Sequence, residues 1–150
     1  MSILYSKVIT GCDSNCVRNL IQEMINCIKS VYDISDSEEF EFRLILNELI
    51  ANGTIHGNKR LCDKTITAQI ETIDENTVSI TIEDEGSGFD YKGFFEKAYP
   101  CDVNPFSERG RGLKLIKAMC DNIHFNQKGN QIQICKSIKS VALCQKKVSN

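Results

Sequence analysis

The chain has 150 residues, 41% apolar and 25% charged, a composition that suits one soluble domain with its own core and leaves no room for a multidomain enzyme. With 18 basic against 20 acidic residues the formal charge is -2, so no global field draws the chain to nucleic acid or acidic membranes, and any anion site must be local. No run approaches the ~20 apolar residues of a membrane span, and the first ten residues lack the basic region and apolar core of an export signal, so the expected location is the cytoplasm.

In chain order, residues 3–9 are β-prone but alternate poorly and are expected to form an edge strand. Ser14 is expected to cap a first helix, in which Val17, Leu20, Ile21, Met24, Ile28 and Val31 recur at helical spacing and pack one face on a core. A second helix is expected after Ser35-Asp36-Ser37, with acidic residues in its first turns and an apolar stripe of Phe42, Ile45, Leu46, Leu49 and Ile50. Glu48 and Asn52 stack one turn apart at the border of that stripe. Gly53 and Gly57 loosen the end of this helix.

Two strands follow. Ile66, Ala68 and Ile70 face in from the first, and Val78, Ile80 and Ile82 from the second. The period of two, continued past Ile82, turns Asp84 inward just where Asp84-Glu85-Gly86-Ser87-Gly88 begins. A short helix is expected over residues 91–97, then an irregular segment holding both prolines. Arg109-Gly110-Arg111-Gly112 opens a helix to about Asp121. A hairpin of 123–126 and 131–138 closes the domain, with Ile132, Ile134 and Ile138 facing in, and residues after about 140 form a polar tail.

The eight cysteines show no zinc-template spacing, and Cys27, Cys120 and Cys135 are expected to be small buried hydrophobes. Cys12 and Cys16, four apart near a helix start, are the pair to watch.

Three clusters have chemical potential, and each has a plain structural alternative. Gly110 and Gly112 at a helix start let free amides approach an anion, with Arg109 and Arg111 supplying charge, or they merely shape a loop. Asp84 with Gly86 and Gly88 can accept a hydrogen bond from an exocyclic amine such as that of adenine, or Asp84 can cap its own turn. Asn52 can supply one oxygen to a magnesium ion held by phosphates while Glu48 accepts a proton, or both line a solvated helix edge.

Their order and combination resemble the GHKL (Bergerat-fold) ATP-binding family of gyrases and histidine kinases: Glu48-x-x-x-Asn52 on a helix, Asp84-x-Gly86-x-Gly88 after a strand, and Arg109-Gly110-x-Gly112-Leu113 opening a helix. The stretch from Asn52 to Gly57, the Glu108-Arg109-Gly110 run and the small size look most like bacterial anti-sigma factor serine/threonine kinases. The resemblance covers about residues 38–138. It implies an α+β fold, a two-layer sandwich with a mixed, mostly antiparallel sheet and helices on one face. It also implies a single ATP-binding domain whose lid is about residues 89–109.

For the site the resemblance implies ATP and Mg²⁺ as cofactors and Asn52 as the metal ligand. Asp84 would read the adenine amine, Gly86 and Gly88 would shape the adenine pocket, and Gly110 and Gly112 would meet the phosphates, with Arg111 and Leu113 in the same box. Glu48 matches the proposed base and Arg109 the arginine at the terminal phosphate. The implied partners are a STAS-type anti-anti-sigma protein, phosphorylated on serine, and a sigma factor, with homodimerisation through residues 3–9. Gly129-Asn130 departs from the family's Gly-Thr. A catalytically silent nucleotide-binding module is the alternative. A histidine kinase core acting on a separate chain is a third, since neither His56 nor His124 suits a phosphoacceptor.

Overall fold

A computed structural model describes residues 2–11, 13–88 and 108–139, the last from 112 onward with side chains. The expected lid as far as residue 107, the short helix over 91–97, the polar tail, Cys12 and Cys101 lie outside the described residues, and the last two residues of the expected lid, 108 and 109, already belong to a helix.

Strand β1 (Ser2–Thr10) is followed by α1 (Ser14–Val31) and α2 (Asp36–Ala51), which continues without a break into a π-helical turn, Asn52–Gly57. Then come β2 (Thr65–Asp74), β3 (Thr77–Glu83), α3 (Glu108–Met119), β4 (Asn122–Phe125) and β5 (Gln131–Ser137). The strands form one sheet in the order β1-β2-β3-β5-β4. All four pairings are antiparallel, in keeping with the mostly antiparallel sheet expected, and β1 lies at an edge as expected.

The sheet has one apolar face. Ile66, Ala68 and Ile70, Val78, Ile80 and Ile82, and Ile132 and Ile134 are buried, while their alternating neighbours on β2 and β5 are half-exposed. Across β2 and β3 the register sets Ala68 opposite Ile82 and Ile70 opposite Ile80, so the inward residues stack side by side. Leu20, Met24, Ile25 and Ile28 of α1, Phe42, Ile45, Leu46 and Leu49 of α2, and Leu113 and Ile116 of α3 complete the same core. The fold is therefore α+β in two layers.

The helix ends show how the sequence directs the chain. Asp13, not Ser14, caps α1: its carboxylate accepts from Asn15 N at 2.7 Å, and Ser14 is the first helical residue. An aspartate carries a full charge against the helix dipole, which a serine hydroxyl lacks. Ser35 caps α2 through a capping box, its hydroxyl accepting from Glu38 N (3.1 Å) while Glu38 accepts from Ser35 N (3.0 Å). Helix α3 begins by Glu108, so Gly110 and Gly112 lie inside its first turns, and it ends at Met119.

Among the described residues the cysteines are free. Cys27 and Cys120 are half-buried against the core, whereas Cys135 lies on the half-exposed side of β5 with Gln131 and Gln133. They are less buried than expected. No helix of the described residues is long and apolar enough to cross a membrane.

Candidate functional site

Helix α2 does not stop at Asn52. The residue keeps helical dihedrals (φ -58°, ψ -43°), and the winding widens so that Asn58 N donates five residues back to Gly53 O at 2.7 Å. Short π segments of this kind commonly mark functional sites. The widened turn brings a bare backbone face against the end of β3: a β-carbon on Gly57 would fall on the Asp84 carboxylate, and one on Gly86 would fall on the Gly57 carbonyl. Two stretches of main chain thus touch at a spacing that only glycine permits.

Asp84 points inward and is 9% exposed, as the strand period required. Its Oδ1 accepts from Gly86 N at 2.7 Å, so it does cap its own turn. A carboxylate with two oxygens can accept further bonds, so this does not exhaust it. Asp84 N donates to Asn130 O (2.9 Å) and Asn130 Nδ2 donates to Asp84 O (2.7 Å). On the other flank Glu85 N donates to Asn58 Oδ1 (2.8 Å), and Asn58 Nδ2 donates to Thr65 O (2.9 Å). Gly88 has φ +103°, a left-handed conformation, and a β-carbon there would strike the Lys128 carbonyl. The Asp84 turn is therefore gripped from both sides, by Asn58 and by the 126–130 turn.

Glu48 lies on the opposite side of α2's extension, facing α3. A β-carbon on Gly112 would land on the Glu48 carboxylate, so the first and third sequence clusters meet at side-chain contact. Between α2, the π turn and α3 is a cavity of about 320 Å³, lined by Glu48, Asn52, His56, Gly112 and the apolar Ala51, Ile55 and Leu115. That volume is at the lower end for small-molecule sites. Asp84, Gly86 and Gly88 do not line this cavity; they stand across the π turn from it, behind Gly57.

The remaining expected site residues fall as follows. The main chain of Arg109, Gly110 and Arg111 belongs to α3, and their side chains lie outside the described residues. In a helix that starts at Glu108, Gly110 is in the first turn, whose amides have no intrahelical partner. Gly112 is past it, so it offers the cavity an absent side chain more than a free amide. The Leu113 side chain is wholly buried in the core, leaving only its main chain for a ligand.

The donor set fits a nucleotide with magnesium at one atom. Asn52 is 3% exposed, and its Nδ2 is the buried side-chain atom without a hydrogen-bond partner among the described residues. Burying such a group unpaired costs on the order of 1–3 kcal/mol, and half a turn of the amide presents the oxygen in its place.

Asn58 and Asn126 were not legible as site residues, and Asn130 stood out only as part of the Gly129-Asn130 departure from the family's Gly-Thr. The one local signal was the asparagine directly after the Gly57 helix end, a position that favours side-chain to main-chain bonding.

A helix-covered antiparallel sheet, with a glycine-rich aspartate turn packed on a widened helix end, is the architecture that the resemblance to GHKL ATP-binding domains implies. The chain belongs to the histidine kinase-like ATPase domain family, whose model matches residues 13–136. Among curated relatives it is similar to the anti-sigma F factor of Bacillus velezensis, 29% identical over 118 residues, covering 75% of this chain and 79% of that protein. The anti-sigma F factor of Bacillus subtilis is 28% identical over the same coverage. Among solved structures, the blue-light activated histidine kinase of Erythrobacter litoralis EL346 aligns with TM-score 0.47 and 18% identity, over 77% of this chain and 34% of its own. The mycobacterial sensor histidine kinase MprB aligns with TM-score 0.47 and 11% identity over 91% of this chain and 100% of its own.

Proposed function

We propose that the protein is an anti-sigma-factor-like serine kinase: it binds Mg-ATP with the phosphates between α2, the π turn and α3 and the base at the Asp84 turn, phosphorylates a serine of a STAS-type anti-anti-sigma partner, and sequesters a sigma factor. The observation that carries this is the convergence of Glu48, buried Asn52 and Gly112 on one cavity. The similarity to two anti-sigma F factors supports the choice of partners.

In this reading Asp84 accepts from the adenine amine, with Gly86 and Gly88 keeping the turn close to the base. The Gly110 amide and the charges of Arg109 and Arg111 are assigned to the phosphates, and Asn52 is assigned as the protein's ligand to Mg²⁺. The metal, when bound, neutralises phosphate charge. Glu48 accepts the proton of the attacking serine hydroxyl as the Ser O–P bond forms and the bond from the terminal phosphorus to the leaving nucleotide oxygen breaks. In-line phosphoryl transfer needs positioning and charge neutralisation more than covalent chemistry, and these residues supply both. Residues 89–109 are the proposed lid.

A homodimer through β1 is part of the proposal, since this edge strand exposes Ile3 (63%) and Val8 (58%). Sedimentation of a Val8→Glu variant should then show monomer where the wild type shows dimer.

Titration calorimetry with Mg-ADP and Mg-ATP on wild type and Asp84→Asn tests the site. Binding by the wild type and its loss in the variant are expected. Failure of the folded, nucleotide-free wild type to bind would refute the assignment. Glu48→Ala should then abolish phosphotransfer and spare binding; persistent transfer would remove Glu48 as the base, and binding without transfer in the wild type would make the protein a silent nucleotide-binding module.

A further inference from the structure

Strand β5 buries a lysine on its core face. Lys136 alternates inward with Ile132 and Ile134 and is 7% exposed, a position that lysine rarely occupies unless paired. Its Nζ donates to Glu41 Oε2 at 2.6 Å and to the Met119 carbonyl at 2.9 Å, and lies 5.8 Å from the centre of the Phe42 ring. One ammonium group thus joins three elements: β5, the first half of α2, and the last residue of α3, whose carbonyl end favours a cation.

The spacing along the two helices gives this joint a consequence. Glu41 and Glu48 are seven residues apart on α2, and Met119 and Gly112 are seven apart on α3, two turns or ~10 Å in each case. Glu48 meets Gly112, and Glu41 meets Met119 through Lys136. The helices therefore run antiparallel with matched contacts at both ends. At the cavity end the Glu48 carboxylate lies against the bare α-carbon of Gly112. The other end is pinned by a cation.

We propose that Lys136 is a positioning residue for phosphate binding: by pinning α3 to α2 at the end remote from the cavity, it sets how closely the Gly110–Gly112 turn approaches Glu48 and Asn52. This rests on the reading of the cavity as the nucleotide's phosphate site. The adenine turn at Asp84 is held by separate bonds from Asn58 and Asn130, so the pin should act on phosphates and not on the base.

The test is calorimetric titration of the full chain with AMP and with ADP, each with Mg²⁺, for wild type, Lys136→Met and Lys136→Arg, alongside thermal melting. The wild type should bind ADP more tightly than AMP. In Lys136→Met that preference should shrink by about tenfold with AMP affinity held, and Lys136→Arg, which keeps the cation, should restore it. A purely structural lysine would lower the melting temperature and leave the ADP-to-AMP ratio alone. Should Lys136→Met fail to fold, Glu41→Gln removes one partner whose side chain is 37% exposed, and the same shrinkage is expected. A wild-type ratio retained in the folded variants overturns the pin alone. A wild type that binds ADP no better than AMP overturns the phosphate-site reading and the pin with it.

Discussion

Replacing Gly112 by alanine separates stability from catalysis, because the residue that must yield is the end of a flexible side chain. The new β-carbon would overlap Glu48 Oε2, with Glu48 Cδ at 3.0 Å and Cγ at 3.6 Å. Ordinary carbon contacts need about 3.5–4.0 Å, so the carboxylate must retreat by about 1 Å while its stem stays in place. An off-rotamer side chain costs about 0.5–1.5 kcal/mol, and alanine in place of glycine inside a helix returns about 0.8–1.0 kcal/mol. The two nearly cancel, so the melting temperature should move by no more than about 3 °C. The same displacement is large for a proton acceptor, since a misplacement of about 1 Å can cost about a hundredfold in rate. Phosphotransfer to a serine-bearing STAS-type partner, followed by radiolabel, should fall by about that factor in a protein that melts normally. Transfer at the wild-type rate would refute the role of Glu48, and a collapse of the melting temperature would refute the claim that Glu48 is the part that gives.

Gly86→Ala should behave in the opposite way, because its β-carbon meets main chain, with the Gly57 carbonyl carbon at 2.7 Å. A loss of about 2 kcal/mol, or about 4–8 °C in melting temperature, is expected, and an unchanged melt would contradict the packing. Burial pushes the Cys120 thiol up to about 12, so iodoacetamide at neutral pH should label exposed Cys62 and spare Cys120 until the protein unfolds; equal labelling rates by mass spectrometry would be inconsistent with this. The Asp121 carboxylate is held below its ordinary range by the Ser137 hydroxyl and then by the Ser137 amide, and Glu23 by Lys7 and then Tyr5. Lowered folded-state values mean that the unfolded chain binds more protons, so their contribution is present above the ordinary carboxylate range, ~4, and is lost as pH falls below it. Urea midpoints should drop from neutral to acid pH, and Asp121→Asn should narrow that drop; a drop of wild-type size in the variant would exclude Asp121 as a contributor.

Much of this architecture was written in the sequence wherever the governing interaction is periodic. The alternation in β2 and β3 named the inward residues, and the same period carried Asp84 to its buried position. The S-x-x-E signature at Ser35 and Glu38 spells a capping box. Non-local pairings were less accessible. Alternation along β5 singled out Ile132, Ile134 and Ile138 and passed over Lys136 on the same face, because a lysine reads as exposed until its partner is known, and Glu41 is 95 residues away. Asn58 and Asn130 bond across 27 and 46 residues, with no pattern linking the ends. The π winding was hidden for a different reason: over six residues a bond to the fifth residue back and one to the fourth leave much the same apolar spacing.

Where Gly57 lies on Gly86, the Asp84 turn is walled on one side by peptide groups. Such a wall has no side chains to exchange, so substitutions can add bulk to it but can scarcely reshape it. Surface helices and strand edges can accept new partners through ordinary side-chain changes while this wall keeps one contour.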